Sequence, residues 1–126
     1  MTQTPRRFGL PMLAAAIALA FGHGNARAQD GAQLFKSNCT VCHSAEAGQN
    51  KIGPSLFGVI GRKAGTAAGY TYSDAMKNSG LIWTPGQLDT YLVNPKGVVP
   101  NTKMLFLGLK KPEDRKAIIG YLETLK

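Results

Sequence analysis

Histidine is scarce in this chain, with His23 and His43 the two present, and cysteine is as sparse, with Cys39 and Cys42 alone. A structural zinc site needs about four Cys or His ligands, so that use of the thiols fails for want of partners. A stabilising disulfide fails too, because two intervening residues close a ring too small to restrain an unfolded chain much. No apolar run approaches the roughly 20 residues that cross a bilayer. No apolar–polar alternation is sustained long enough to build a sheet, and there is no internal repeat or low-complexity tract. No nucleic-acid-recognition motif is present. Acidic residues are few, seven against fifteen Lys and Arg.

What is present begins with an export leader. Arg6 and Arg7 make a positive start, residues 10–21 are almost wholly apolar, and Ala26-Arg27-Ala28 offers small residues two apart. That pattern predicts a secretory signal peptide over residues 1–28, cleaved after Ala28, and a periplasmic domain over residues 29–126 with no stable membrane insertion. Arg6-Arg7 before Phe8 also has a twin-arginine flavour, so the Sec and twin-arginine routes both stay open. Residues 29–126 hold twelve basic and seven acidic side chains, a net charge of +5. A domain so small and so rich in Gly and Pro buries little of its own surface, which calls for something besides polypeptide in its core.

The predicted fold class is all-α, with few helices and long loops. Asp30 is placed to cap a first helix that carries Leu34 and Phe35 on one face and runs into Cys39. Seven glycines and prolines break residues 46–70 into loop. Ser73 caps a short helix ending before Gly80. Thr84-Pro85-Gly86-Gln87 opens a helix over 85–93, which Asn94-Pro95 stops, and loop follows to Lys111. Pro112, Glu113 and Asp114 open the last helix, whose apolar face is Ile118, Tyr121, Leu122 and Leu125. A central stretch of about forty irregular residues in so compact a domain signals function or an embedded ligand.

Cys39-Thr40-Val41-Cys42-His43 is C-x-x-C-H, the signature of covalent haem c. The two thiols lie close enough to add to the two vinyl groups of one porphyrin, and the histidine that follows meets the iron. A thioredoxin-like redox pair would need a βαβ setting that is missing here. Once the leader is gone, His43 is the one histidine left. The second axial position is then filled by methionine or by lysine, or stays open, and the methionines of the domain are Met76 and Met104.

These features together resemble class I cytochrome c, close to the mitochondrial type and its soluble bacterial relatives, over roughly residues 29–125. Gly31 and Phe35 look like first-helix residues that pack on the last helix at Tyr121 and Leu122. Gly53-Pro54-Ser55-Leu56 is similar to the segment whose proline carbonyl orients the proximal histidine, here His43. Arg62, Tyr72 and Trp83 match the residues around the buried haem propionate, and Tyr91 matches the distal tyrosine. Pro100-Asn101-Thr102-Lys103-Met104 resembles the distal loop, which implies Met104 as sixth ligand. The chain also departs from the pattern. Its loop between His43 and Gly53 is one residue shorter and lacks a histidine, and Asn101 stands where Gly is usual. Met76 replaces an Asn beside the distal ligand, giving a drier distal side and a rival sulfur, and Asn38 replaces a basic residue.

The resemblance implies a cytochrome c fold around one covalent haem c and its iron. A His/Met pair favours ferrous iron and leaves no open position for substrate, so the expected work is one-electron transport in a respiratory chain and not enzymatic catalysis. The competing readings are a haem peroxidase-like enzyme, which needs a vacant sixth site, and a cytochrome subunit of a larger redox complex. The basic charge favours a monomer that docks transiently on reductases or oxidases with acidic surfaces, through Lys51, Lys96, Lys103, Lys110 and Lys111.

Overall fold

The computed structural model describes Gly9 and residues 26–126. Among the described residues five helices follow in order: α1 Ala26–Asn38, α2 Asp74–Lys77, α3 Pro85–Val93, α4 Pro95–Val98 and α5 Pro112–Leu122. Among the described residues the extended pairing is limited to one isolated bridge between Lys63 and Ile82. No helix among them is long and apolar enough to cross a membrane. Most of the stretch expected to be a leader, residues 1–28, lies outside the described residues, while Ala26, Arg27 and Ala28 form the start of α1.

Asp30 does not cap α1. The helix begins four residues earlier, because Ala26-Arg27-Ala28-Gln29 are good helix formers that extend it backwards and leave Asp30 inside. The other starts obey the expected caps. Ser73 Oγ accepts from Met76 N–H at 3.1 Å and Thr84 Oγ1 accepts from Gln87 N–H at 3.1 Å, each satisfying a donor of the first turn. The helix over 85–93 ends as expected, but Asn94-Pro95 also starts the single turn α4, since Asn94 Oδ1 accepts from Gly97 N–H at 3.2 Å.

α1 packs on α5. Gly31 has no Cβ, and one placed there would run into the Ala117 carbonyl, so glycine lets the two backbones touch. Four residues on, Phe35 meets Tyr121 with ring centroids 5.0 Å apart. Phe35, Ile118 and Leu122 are buried, and each such side chain contributes about 1.5–3 kcal/mol. The core continues through Val59, Ala64, Trp83, Leu88, Tyr91, Leu92 and Val99. Residues 39–73 wrap round it with no regular helix or strand, as their glycines predicted.

Arg115 is a buried charge inside this core, and it belongs to the same α5 stripe as Ile118 and Leu122. Its Nη1 donates to the carbonyls of Leu109 at 3.0 Å and Lys110 at 3.1 Å, and its Nε pairs with Asp89 at 2.8 Å. The guanidinium thereby fastens α3, α5 and the end of the 99–111 loop together.

Candidate functional site

The ladder of α1 runs on into the thiol motif. Cys39 N–H donates to Phe35 O at 2.8 Å, and His43 N–H and Cys42 N–H both donate to Cys39 O, at 2.8 and 3.1 Å. Cys39, Cys42 and His43 therefore share one turn that continues the helix. The thiols are free and half-buried. Burial, helped by the neighbouring Cys42, pushes the Cys39 thiol up to about 11. A redox-active C-x-x-C pair works through a lowered thiol pKa, and burial shifts Cys39 the opposite way.

His43 Nδ1 lies 2.7 Å from the Pro54 carbonyl. The carbonyl can only accept, so Nδ1 carries the proton and Nε2 keeps its lone pair for a metal. Burial lowers the His43 pKa, the Pro54 bond opposes that, and the Arg62 and Lys51 cations lower it further. The imidazole is thus held neutral, as a metal ligand must be. Gly53 is pressed against the ring, where a Cβ would come 2.7 Å from Nδ1. Gly53 N–H also donates to Cys42 O at 2.7 Å, which pins this loop to the thiol turn.

From Pro54 a run of contacts crosses the molecule. Ser55 O accepts from Arg62 Nη2 at 3.0 Å. The Arg62 pKa is lowered by burial, against which nearby Tyr72 acts. The Tyr72 hydroxyl accepts from Ala67 N–H at 3.0 Å. Trp83 N–H donates to Arg62 O at 2.9 Å, and the Trp83 ring meets Tyr91 at 4.8 Å. The Tyr91 hydroxyl ends the run by donating to the Met104 sulfur at 3.4 Å. All nine residues singled out in the sequence thus fall into one connected neighbourhood: Cys39, Cys42, His43, Pro54, Arg62, Tyr72, Trp83, Tyr91 and Met104.

Met104 sits on a segment whose side chains alternate. Thr102, Met104 and Phe106 are half-buried, while Leu105 and Leu107 are 86% and 79% exposed. The turn before it needs a left-handed residue, and Asn101 supplies one at φ 64°, a conformation that Asn adopts more readily than most residues. Met76 is half-buried against the core, on α2.

The residues present fit a covalently held haem. Two thiols share a turn, a neutral imidazole offers Nε2, and a thioether is aimed by a buried phenol. Sequence reasoning missed Arg115 and Asn50. The Arg115 signal was its place three residues before Ile118 on the α5 stripe, whereas nothing in the sequence distinguished Asn50.

Comparison with known proteins agrees with this geometry. The family model described as cytochrome c matches residues 28–126. The chain is similar to a cytochrome c of Cochliobolus lunatus, 51% identical over 106 residues that cover 83% of this chain and 96% of that protein. It is similar to a cytochrome c2 iso-2 of Magnetospirillum molischianum, 57% identical over 70% of this chain and 91% of the relative. The solved structure of cytochrome cH from Methylobacterium extorquens superposes with a TM-score of 0.72 at 45% identity, covering 77% of this chain and 97% of the other.

Proposed function

Since this chain belongs to the cytochrome c family, with one covalent haem c and its iron, we propose that Cys39 and Cys42 hold that haem and that His43 and Met104 ligate the iron. The protein is an electron carrier and not an enzyme, and it acts with redox partners. When bound, the haem supplies the one-electron couple of its iron.

The observation that carries the ligand assignment is the Tyr91 hydroxyl directed at the Met104 sulfur, 3.4 Å away. A buried phenol that spends its proton on a thioether orients a sulfur as a donor and not as core filler. Opposite in role, the Pro54 carbonyl fixes the tautomer in which His43 offers Nε2. The soft Met104 sulfur favours the reduced state. Arg62, Tyr72 and Trp83 supply donors for the haem carboxylates, and buried Trp83, Tyr91 and Val99 keep water out. Two protein ligands leave no site for peroxide, so the peroxidase-like reading is not favoured.

In this reading residues 1–28 are a cleaved leader and residues 29–126 are a soluble, monomeric periplasmic domain serving a respiratory chain. The apolar run of residues 10–21 followed by Ala26-Arg27-Ala28 supports that boundary. Docking on acidic partner surfaces is supported by the net charge of +5 over residues 29–126. Mass spectrometry of the purified protein should find one haem on a chain starting at Gln29. Met104→Ala should abolish the near-infrared sulfur-to-iron band, whereas Met76→Ala should leave it. The reverse pattern would overturn the ligand assignment.

A further inference from the structure

The loop between His43 and Gly53 contains no histidine, yet it is fastened, and the fastener is Asn50. Asn50 Oδ1 accepts from Ser55 N–H at 2.9 Å, and Asn50 Nδ2 donates to Ala68 O at 2.9 Å. Those partners fix the amide's orientation, because a flipped side chain would set donor against donor and acceptor against acceptor.

The peptide unit that Asn50 grips is the one that holds the imidazole. Its carbonyl is Pro54 O, which takes the His43 Nδ1 proton at 2.7 Å, and its N–H is Ser55 N–H, which goes to Asn50. A hydrogen bond on the N–H side of a peptide draws electron density towards the carbonyl oxygen and makes it a stronger acceptor. Ser55 is buried and its other polar groups are in use. Its Oγ donates to Glu46 O at 2.5 Å, and its carbonyl accepts from Arg62 Nη2 at 3.0 Å. Loss of the Asn50 acceptor would leave Ser55 N–H a buried donor without a partner.

We propose that Asn50 is a positioning residue for electron transfer: through the Pro54–Ser55 peptide it sets the orientation and donor strength of His43, and through Ala68 it locks the 44–55 loop to the 61–72 loop. This rests on His43 as an iron ligand. With Asn50 in place, His43 has more imidazolate character, which steadies ferric iron and restrains the potential. The Ala68 bond keeps the two covering loops from parting.

The test uses the intact holoprotein and three variants read by NMR hydrogen exchange and by redox titration. Asn50→Leu, which removes both bonds at similar volume, should speed exchange of the Ser55 N–H and the His43 Nδ1–H about tenfold each and raise the midpoint potential. Asn50→Asp retains the acceptor for Ser55 N–H but not the donor to Ala68. It should keep both protons protected while exchange in the 61–72 loop accelerates. Gln49→Leu, at the exposed neighbour, should change none of these. Unchanged His43 Nδ1–H exchange in Asn50→Leu, with protection lost only in the 61–72 loop, would overturn the positioning role and leave a loop tie alone. If Asn50→Leu does not fold, Asn50→Asp decides, and loss of His43 Nδ1–H protection there refutes the proposal. Failure of the ligand reading is seen separately, as a wild-type His43 ring without hyperfine shifts in the oxidised protein.

Discussion

Gly53 and His43 leave no room between them for a side chain: a Cβ on Gly53 would stand 2.7 Å from Nδ1 and nearer still to Cε1. Gly53→Ala must therefore displace the ring or the loop, at a cost of about 2–3 kcal/mol in denaturant unfolding of the holoprotein. Gly48→Ala is the control. Its Cβ meets nothing, and only its φ of +71° is strained, so about 1 kcal/mol is expected. Equal losses at the two positions would show that the ring contact is not what matters.

Tyr91→Phe removes the O–H bond to the Met104 sulfur and almost no volume. The freed sulfur becomes a better donor to ferric iron, so the midpoint potential should fall by roughly 20–40 mV, the equivalent of one weak hydrogen bond of about 0.5–1 kcal/mol. The near-infrared band should persist. Burial raises the Tyr91 phenol above its usual value of 10.0, although a hydrogen bond with Thr102 acts the other way. The hydroxyl therefore stays protonated below pH 10, and this contribution to the potential should be flat with pH across that range. An unchanged or raised potential in Tyr91→Phe would count against the bond.

Arg115→Met should lower stability by about 2–4 kcal/mol, because it removes a buried guanidinium that binds the Leu109 and Lys110 carbonyls and Asp89. Asp89→Asn should cost less than about 1 kcal/mol, since the Asp89 side chain is 48% exposed and water screens it. Chemical denaturation of both variants reads the difference. A larger loss at Asp89 would mean that the ion pair, and not the bonds to Leu109 and Lys110, holds the 99–111 loop.

If the lysines steer docking, the bimolecular electron-transfer rate with an acidic partner should fall steeply with salt, because a Debye length of about 10 Å at about 0.1 M screens steering. Lys96→Glu should slow the reaction more than Lys126→Glu. Lys96 is the cleaner probe, because Lys103 Nζ donates to Thr71 O at 3.0 Å and its reversal also frees a loop. Asn38 turns its side chain back on Leu34 O at 2.8 Å, which makes the salt dependence shallower than that of a ring with a cation there. Equal effects of Lys96→Glu and Lys126→Glu would remove the steering role.

Local chemistry made part of this molecule legible in its sequence. Thr84 before Pro85, Ser73 before Asp74 and Pro112 before two acids are short-range signals, and the helices that follow begin where those signals stand. C-x-x-C-H is likewise local, so the thiol turn could be read outright. Asn101 was legible because only its backbone conformation was at issue. Long-range partners were not. Asn50 reaches Ala68 eighteen residues on, and Arg115 reaches Asp89 twenty-six residues back. α4 was hidden because Asn94-Pro95 reads as a stop, and the same Asn side chain that ends one helix caps the next. Asp30 misled because a good cap residue yields to a helix-favouring stretch ahead of it.

The alternation along residues 102–107 has a thermodynamic consequence. The backbone path that turns Met104 and Phe106 inward obliges Leu105 and Leu107 to face water at 86% and 79% exposure. Any partner that covers this stretch dehydrates two leucines, and dehydration of apolar surface lowers the heat capacity. Calorimetry of complex formation should therefore give an enthalpy that grows more negative as temperature rises. That slope should persist in salt concentrated enough to silence the lysines, and it should diminish in Leu105→Ser and Leu107→Ser.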